Sequence, residues 1–318
     1  MGVFSGTAGD DNFSYALGGD KAPGDVDDSM LGFAGNDAFS PKGGTDYVDG
    51  GFGFDTIDYF DASSVFGAPP TGIVANLAAK TVTDPWGFLD IVWNVENVVG
   101  TNFADVITSN FTDTYSIALG GNDTVVSLDG NDYLDLGTGN DLAYGGAADD
   151  TIIGGDGDDV AFGQDGKDRL ELGGGNDFGY GGAGNDAILG NGGNDVLYGE
   201  GGNDNINAGG NNDFIDGGFG TDKMTGGGGT DTFQVVFGQG STNPLTPEII
   251  ADFEEANTAA GGNQDIILFD VVGVGKLEKL AGTVFKLTDT ALPGTIEYID
   301  ITSVNGQGLV AGLDYFFV

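Results

Sequence analysis

The sequence contains no cysteine and no histidine. The missing thiols exclude disulfides, thiolate zinc sites and cysteine nucleophiles, and the missing imidazoles exclude acid–base catalysis by histidine. The chain also lacks the G-x-S-x-G motif of a serine nucleophile. We therefore expect that the protein is not an enzyme. Oxygen remains as the ligand atom for metals, and oxygen suits hard cations such as Ca²⁺.

Basic residues are scarce as well, with 9 lysines and arginines against 50 acidic residues and a net charge of −41. Such a chain repels nucleic acid and anionic lipid, and its folded state needs cations to offset its own repulsion. No apolar run approaches the roughly 18 residues that span a membrane, and the first residues show no cleavable signal peptide. We expect no nucleic-acid partner and no membrane span.

Glycine is abundant instead, with 62 residues in 318, and aspartate recurs every nine residues. One frame runs without a break through Asp123, Asp132, Asp141, Asp150, Asp159, Asp168, Asp177, Asp186, Asp195, Asp204, Asp213, Asp222 and Asp231. Thr114 and Asp105 extend this frame backwards, and a second block holds Asp28, Asp37, Asp46 and Asp55. Asp11 lies out of frame with that block. Aspartates that served only in turns would not keep so long a phase.

The unit is clearest at residues 181–189, G-G-A-G-N-D-A-I-L. Its glycine-rich part can form a turn, because glycine adopts positive φ, and its last three residues can form a strand whose middle side chain points inward. The unit resembles the nonapeptide repeat of RTX (haemolysin-type) calcium-binding proteins. The resemblance implies an all-β fold, a right-handed parallel β-roll, with Ca²⁺ bound between its turns.

The spacing also predicts how the metal is held. Two units make one coil, so that aspartates two units apart stack about 4.8 Å from each other. Two carboxylates at that separation repel, and a Ca²⁺ ion between them turns the repulsion into attraction. Asp105 and all the aspartates of the long frame, together with Asp28, Asp37, Asp46 and Asp55 of the second block, are therefore predicted calcium ligands. One ion in each gap gives about 13 Ca²⁺ per chain, which would reduce the net charge to about −15.

The periodicity also predicts four segments along the chain: a short N-terminal roll at 1–59, non-repeat strands at 60–104, the main roll at 105–240, and a C-terminal cap and secretion region at 241–318. Residues 247–253 and 265–270 resemble the short capping strands of serralysin-type C-terminal domains. The last six residues, L-D-Y-F-F-V, resemble the uncleaved signal of type I secretion substrates. This resemblance implies a secreted protein, extracellular or at the cell surface.

The two sheets of the predicted roll are not equivalent. Outward positions are mixed and polar on one sheet, whereas on the other they carry two apolar ladders. One ladder holds Leu142, Val160, Phe178, Val196 and Phe214, and the other holds Tyr144, Phe162, Tyr180 and Tyr198. Soluble monomers rarely expose an apolar patch of this size, so we expect it to be covered, either by the rest of this chain or by an intermolecular partner.

Two functions are compatible with these features. The first is a secreted structural protein that folds on extracellular Ca²⁺ and self-associates through the aromatic face, as a surface-layer, filament or biofilm-matrix subunit. The alternative is a small secreted calcium-dependent adhesin or a carbohydrate-binding or signalling module, in which the aromatic face contacts a polysaccharide.

Overall fold

A computed structural model describes residues 3–13, 27–41, 43–60, 71–236, 248–253, 265–270, 275–281, 284–289, 296–303 and 315–317. The chain divides into two compact units, Met1–Asp156 and Gly157–Val318. In each unit short strands alternate between two sheets, which is the architecture of a β-solenoid. Among the described residues, no helix has the length and apolar character needed to cross a bilayer.

The strands of the first unit are short, as expected from a repeat of nine residues. They are β1 (Val3–Ser5), β2 (Asn12–Phe13), β3 (Ser29–Ala34), β4 (Ala38–Phe39), β5 (Tyr47–Phe52), β6 (Thr56–Asp58), β7 (Val74–Asn76), β8 (Thr81–Thr83), β9 (Leu89–Trp93), β10 (Asn97–Val99), β11 (Val106–Thr108), β12 (Tyr115–Ile117), β13 (Thr124–Val126), β14 (Tyr133–Thr138), β15 (Leu142–Ala147) and β16 (Thr151–Asp156).

The sheets of the first unit are parallel except at one place. One sheet has the order β1-β3-β5-β9-β8-β7-β11-β13-β15, and the other has the order β2-β4-β6-β10-β12-β14-β16. Between β5 and β11 the chain inserts an antiparallel meander, in which β8 pairs with both β7 and β9. The outer strands of this meander continue the wall, because β9 pairs parallel with β5 and β7 pairs parallel with β11.

The second unit begins with the same alternation. Its strands are β17 (Val160–Asp165), β18 (Arg169–Gly174), β19 (Phe178–Ala183), β20 (Ala187–Gly192), β21 (Val196–Gly201), β22 (Asn205–Gly210), β23 (Phe214–Asp216), β24 (Lys223–Gly228), β25 (Thr232–Val236), β26 (Glu248–Phe253), β27 (Ile266–Asp270), β28 (Gly275–Ala281), β29 (Val284–Asp289), β30 (Ile296–Ser303) and β31 (Tyr315–Phe317).

The sheets of this unit have the orders β17-β19-β21-β23-β25-β27-β31 and β18-β20-β22-β24-β26-β30-β29-β28. The repeat strands are parallel and in register at intervals of 18 residues, for example Ile188 with Ile206. At the C-terminal end, β29 pairs antiparallel with both β28 and β30, while β30 pairs parallel with β26. The parallel β-roll with antiparallel strands at its C-terminal end is confirmed; the strands β26 and β27 of the segments 247–253 and 265–270, which resemble capping strands, pair parallel with β24 and β25 and continue the roll.

The core of each unit lies between its two sheets. Side chains at the middle of the strands point inward and are fully buried, among them Leu134, Ile152, Leu170, Ile188 and Ile206. Full burial of one such side chain contributes about 1.5–3 kcal/mol. On the other sheet Ala143 and Ala161 are small inward residues and are fully buried, whereas Leu197, Ile215 and Phe233 are large inward residues that are also fully buried. The alternation of inward and outward side chains predicted from the repeat is therefore correct. It determines which side chains lie in the core and which lie on the outside of each sheet.

Candidate metal centre

The repeat aspartates form columns, because each lies just before a strand and the strands stack in register. In the second unit the backbone N–H of Asp177 donates to Oδ1 of Asp195 at 2.9 Å, and that of Asp195 donates to Oδ1 of Asp213 at 2.8 Å. The opposite side repeats this pattern, with the N–H of Asp204 donating to Oδ1 of Asp222 at 2.8 Å. In the first unit, Asp123 donates to Asp141 at 2.7 Å. One oxygen of each accepting carboxylate is thus fixed by the preceding coil.

Nearly all of these carboxyl groups are buried. The frame aspartates from Asp37 onward are at most 3% exposed, while Asp28, near the N-terminal end, is half-buried. Within the described part of the chain, the second oxygen, Oδ2, is buried without a hydrogen-bond partner at Asp37, Asp55, Asp123, Asp177, Asp195, Asp204, Asp213 and Asp222. A buried, ionised oxygen without a partner is unfavourable by several kcal/mol. These atoms therefore fit a bound cation.

The pKa values of these carboxyl groups are raised by the same burial and by repulsion between neighbouring carboxylates. Burial, together with the charges of Asp222 and Asp186, raises the pKa of Asp204 to about 7. Burial and the charges of Asp105 and Asp141 raise the pKa of Asp123 to about 8. Without a metal cation, these carboxyl groups hold protons near neutral pH. The negative charge of the columns is therefore neutralised either by protons or by a bound metal cation.

Backbone carbonyls supply the remaining oxygens near these carboxylates. A Cβ atom placed on Gly181 would lie 2.5 Å from Oδ2 of Asp186 and 2.9 Å from the carbonyl oxygen of Gly199. At Gly181 a side chain would collide with both atoms, whereas the same position of other units holds Leu136, Leu172 or Ala208, each fully buried. Carboxylate and carbonyl oxygens together are the ligand set that Ca²⁺ prefers.

A second ladder runs through the residue that precedes each aspartate. The N–H of Asn194 donates to Oδ1 of Asn176 at 2.9 Å, and the N–H of Asn212 donates to Oδ1 of Asn194 at 3.0 Å. In this exposed ladder the later coil donates to the earlier one, opposite to the aspartate columns. The sequence shows this signal as the recurring Asn-Asp pair, which the spacing of aspartates alone does not use.

Three acidic residues outside the nine-residue phase join the columns. The N–H of Asp46 donates to Oδ1 of Asp90 at 2.9 Å, and the N–H of Asp55 donates to Oε2 of Glu96 at 2.9 Å. In the second unit the N–H of Asp231 donates to Oδ1 of Asp265 at 2.9 Å. The sequence prediction did not include Asp90, Glu96 or Asp265. Each precedes a buried apolar residue by two positions, and that local signal could have found them.

Two positions in frame differ from the rest. Thr114 takes the place of an aspartate, and its N–H donates to Oδ1 of Asp132 at 2.7 Å. Asp105 accepts bonds on both of its oxygens, from the N–H of Ile73 at 2.6 Å and from the N–H of Thr101 at 2.7 Å. Protein donors therefore already occupy both oxygens of Asp105.

The predicted aromatic face lies on the outside of its sheet. In the second unit, Phe162 stacks on Tyr180 with ring centroids 4.7 Å apart and planes 9° apart, and Tyr180 stacks on Tyr198 at 5.1 Å and 9°. Phe178 is 43% exposed, and Val160, Val196 and Phe214 are half-buried, as are Leu142 and Tyr144 in the first unit. Beside the stack, a groove of about 670 Å³ is lined also by Asp165, Glu200 and Asp216.

The comparisons with known proteins agree with this geometry. The model of the RTX calcium-binding nonapeptide repeat matches the chain in four copies, at residues 115–143, 144–179, 180–215 and 198–233. A comparison with curated proteins finds no match. Repeats of this family bind calcium, and the proteins that carry them are typically secreted. Residues 115–233 are therefore an array of RTX-type calcium-binding repeats.

Proposed function

We propose that the protein is a secreted, non-enzymatic structural subunit that folds when about 13 Ca²⁺ ions fill its columns and then self-assembles through its aromatic face. The observation that carries the proposal is the stack of Phe162, Tyr180 and Tyr198 on the outside of the sheet. A face of this kind is typical of a surface that a partner covers.

The geometry of the stack favours a protein partner over a sugar. Because the rings are nearly parallel and lie about 5 Å apart, each ring covers the face of its neighbour and turns its edge outward. A pyranose ring packs on the face of an aromatic ring, and those faces are already used. Ring edges beside Val160 and Val196 instead form an apolar ridge, which fits a second apolar surface such as another copy of the chain.

Calcium would control both folding and assembly. Before the ions bind, two copies with a net charge of −41 each repel one another strongly; with about 13 Ca²⁺ bound, the charge falls to about −15. A chain of this kind stays unfolded at low cytosolic calcium, passes out of the cell, and folds at millimolar calcium outside. The segment 313–318, which resembles a type I secretion signal, lies outside the described residues apart from β31.

The groove beside the stack supports a second candidate function, calcium-dependent binding of a polysaccharide. Its wall combines the edges of Tyr180 and Tyr198 with the carboxylates of Asp165, Glu200 and Asp216. Carboxylates accept hydrogen bonds from sugar hydroxyl groups.

Light scattering and negative-stain microscopy of the full chain, with calcium and with excess chelator, test self-assembly. We expect filaments, sheets or discrete oligomers with calcium, and dispersed chains without it. Phe162→Ser and Tyr180→Ser should abolish assembly and leave the circular dichroism of the calcium-bound protein unchanged, because both side chains are outside the core.

Tyr133→Ser is the matched control. Tyr133 stacks on Tyr115 at 4.6 Å and 4° in the other sheet of the first unit, so its loss removes an equivalent outer stack elsewhere. The control should assemble like the unaltered protein. A monomer at all calcium concentrations contradicts self-assembly; if that monomer is retained on immobilised polysaccharide only with calcium, the second function is correct.

A further inference from the structure

The groove beside the aromatic stack exists because side chains are missing from part of its lining. That part consists of Gly182, Ala183, Gly201 and Gly218. Ala183 lies opposite Gly201 in the parallel pair of β19 and β21, so that two small residues of neighbouring coils lie side by side. The open space of about 670 Å³ is within the range of volumes that small-molecule sites have.

The aromatic part of the lining is apolar. Phe162, Tyr180 and Tyr198 line the groove, and because their faces are stacked on one another, they present ring edges to it. Phe219, which is 59% exposed, also lines the groove. Methylene groups of a bound ligand can pack along such a surface while its polar groups reach water or a charged partner.

The charged residues that line the groove are all acidic: Asp165, Glu200 and Asp216. They belong to the coils of β17, β21 and β23. Because neighbouring coils are about 4.8 Å apart, Glu200 lies about 10 Å along the roll from Asp165 and about 5 Å from Asp216. The N–H of Gly218 donates to Oδ1 of Asp216 at 3.1 Å and orients this carboxylate. Negative charge is therefore distributed along the groove.

Carboxylates that are distributed in this way match a ligand with several separate positive charges. Among the described residues, no three acidic side chains are close enough together to hold one metal ion. None of the described residues that line the groove is a lysine or an arginine. An ammonium group only donates hydrogen bonds, and its bonds to carboxylates are charge-assisted, which makes them stronger than those of a neutral sugar hydroxyl group.

We propose that the groove binds a linear aliphatic polyamine, an organic cation whose ammonium groups are separated by short methylene chains. Its ammonium groups bind Asp165, Glu200 and Asp216, and its methylene groups pack along the ring edges of Tyr180 and Tyr198. Three or four methylene groups separate two charges by a distance similar to the spacing of the coils, about 4.8 Å. The site goes beyond the self-assembly proposed above and does not rest on it.

Two glycines provide a matched pair of substitutions. Beyond its chain neighbours, a Cβ atom on Gly201 would have one atom within 4 Å, the carbonyl oxygen of Gly182 at 3.7 Å. A Cβ atom on Gly210, nine residues later on the other sheet, would have the carbonyl oxygen of Asn191 at 3.7 Å. Neither glycine has positive φ, so both positions accept a side chain, but only Gly201 lines the groove.

Equilibrium dialysis of labelled spermidine, a linear polyamine, against the full-length chain measures binding. Saturating calcium keeps the aspartate columns occupied, and the protein is diluted until light scattering shows single chains. We expect saturable binding that unlabelled spermidine displaces and that octanediol, a neutral chain of similar length, does not. Gly201→Leu should abolish this binding because leucine fills the groove, and Gly210→Leu should leave it unchanged.

A second pair of variants tests the charge. Glu200→Gln should lower the affinity for spermidine about tenfold, since it removes one charge-assisted contact. Glu171→Gln makes the same change of net charge on β18, in the other sheet, and should leave the affinity unchanged. Should Gly201→Leu alter the circular dichroism of the calcium-bound protein, this second pair decides the test, because both glutamates are exposed or half-buried at the surface.

Three results would overturn the site. The first is an unaltered chain without saturable spermidine binding, and the second is equal affinity of Gly201→Leu and Gly210→Leu. The third is an equal loss in Glu200→Gln and Glu171→Gln, because spermidine would then respond to net charge alone. An oligosaccharide that binds in place of spermidine, and that Gly201→Leu excludes, would make the groove a sugar site instead. Self-assembly is measured separately, by light scattering of the undiluted protein, so its failure leaves the dialysis result intact.

Discussion

Gly181 shows how the absence of a side chain leaves space for the oxygen atoms of a column. Its α-carbon faces Oδ2 of Asp186 and the carbonyl oxygen of Gly199, both within 3 Å of where a Cβ would sit. Contacts this close cannot be relieved by rotating a side chain, because one of the two atoms belongs to the backbone of the next coil. Gly228, which is the third residue of its unit rather than the first, has no atom within 4 Å of where its Cβ would sit. Glycines of the repeat are therefore not interchangeable.

We expect Gly181→Ala to destabilise the calcium-bound protein by about 1–3 kcal/mol, the usual effect of forcing a methyl group into packed structure. It should also weaken calcium binding, because the methyl group displaces two oxygens of the ligand set. Thermal unfolding and calcium titration of the two variants measure this. Gly228→Ala is the control and should change either quantity little; equal effects of the two substitutions would contradict the explanation.

Turns are the elements whose backbone the repeat constrains most. The second residue of the turn has positive φ whether it is glycine or not: φ is 109° at Gly182, 82° at Gln164, 71° at Asn191 and 69° at Glu200. Residues with a Cβ adopt this conformation at a cost of about 1–2 kcal/mol, and asparagine does so more readily than glutamine. The backbone geometry of the turn is thus kept even at residues that prefer negative φ.

Gln164→Gly should therefore stabilise the calcium-bound protein by about 0.5–1 kcal/mol, after allowing for the greater freedom of glycine in the unfolded chain. Asn191→Gly should give a smaller gain. Denaturant unfolding at saturating calcium compares the two. A loss of stability on replacing Gln164 would mean that its side chain contributes contacts that outweigh the backbone strain.

At this scale the sequence is a good guide wherever the nine-residue phase holds. The phase predicts the parallel strands and the inward positions of residues such as Leu170 and Ile188. The phase could not predict that Asp90 and Glu96 join the columns, because the meander interrupts the nine-residue spacing. Only five residues lie between these two acids. Nor could it predict that the rings of Phe162 and Tyr180 lie face to face, since ring orientation depends on side-chain rotamers and on the neighbouring coil.

For the whole molecule, charge is the property that changes most with conditions. In the folded, metal-free chain, burial and neighbouring carboxylates raise the pKa of Asp204 and Asp213 to about 7 and that of Asp123 to about 8, from a value of 3.8 without these influences. Between these values the folded state holds more protons than the unfolded state. Its stability must then fall as pH rises through this range.

The metal-depleted protein should accordingly show more β-structure at about pH 5.5 than at about pH 8, because protons replace calcium in the columns. Calcium-bound protein should behave in the opposite sense, since its carboxylates are ionised and acid competes with the metal. Far-UV circular dichroism over this range, with and without calcium, tests both. Native-like signal in chelator at pH 8 would contradict the role of calcium in folding.

The hydrogen bonds that join successive coils along the columns also determine how the chain is aligned with itself. An array whose neighbours recur every 18 residues can slide by a whole coil and form the same bonds again with different partners. The bonds from Asp46 to Asp90, from Asp55 to Glu96 and from Asp231 to Asp265 span 44, 41 and 34 residues, and no shift by a multiple of 18 reproduces them. Each of these bonds can form in only one register of the chain. The irregular ends of the array therefore select one alignment from the many that the repeats alone would permit.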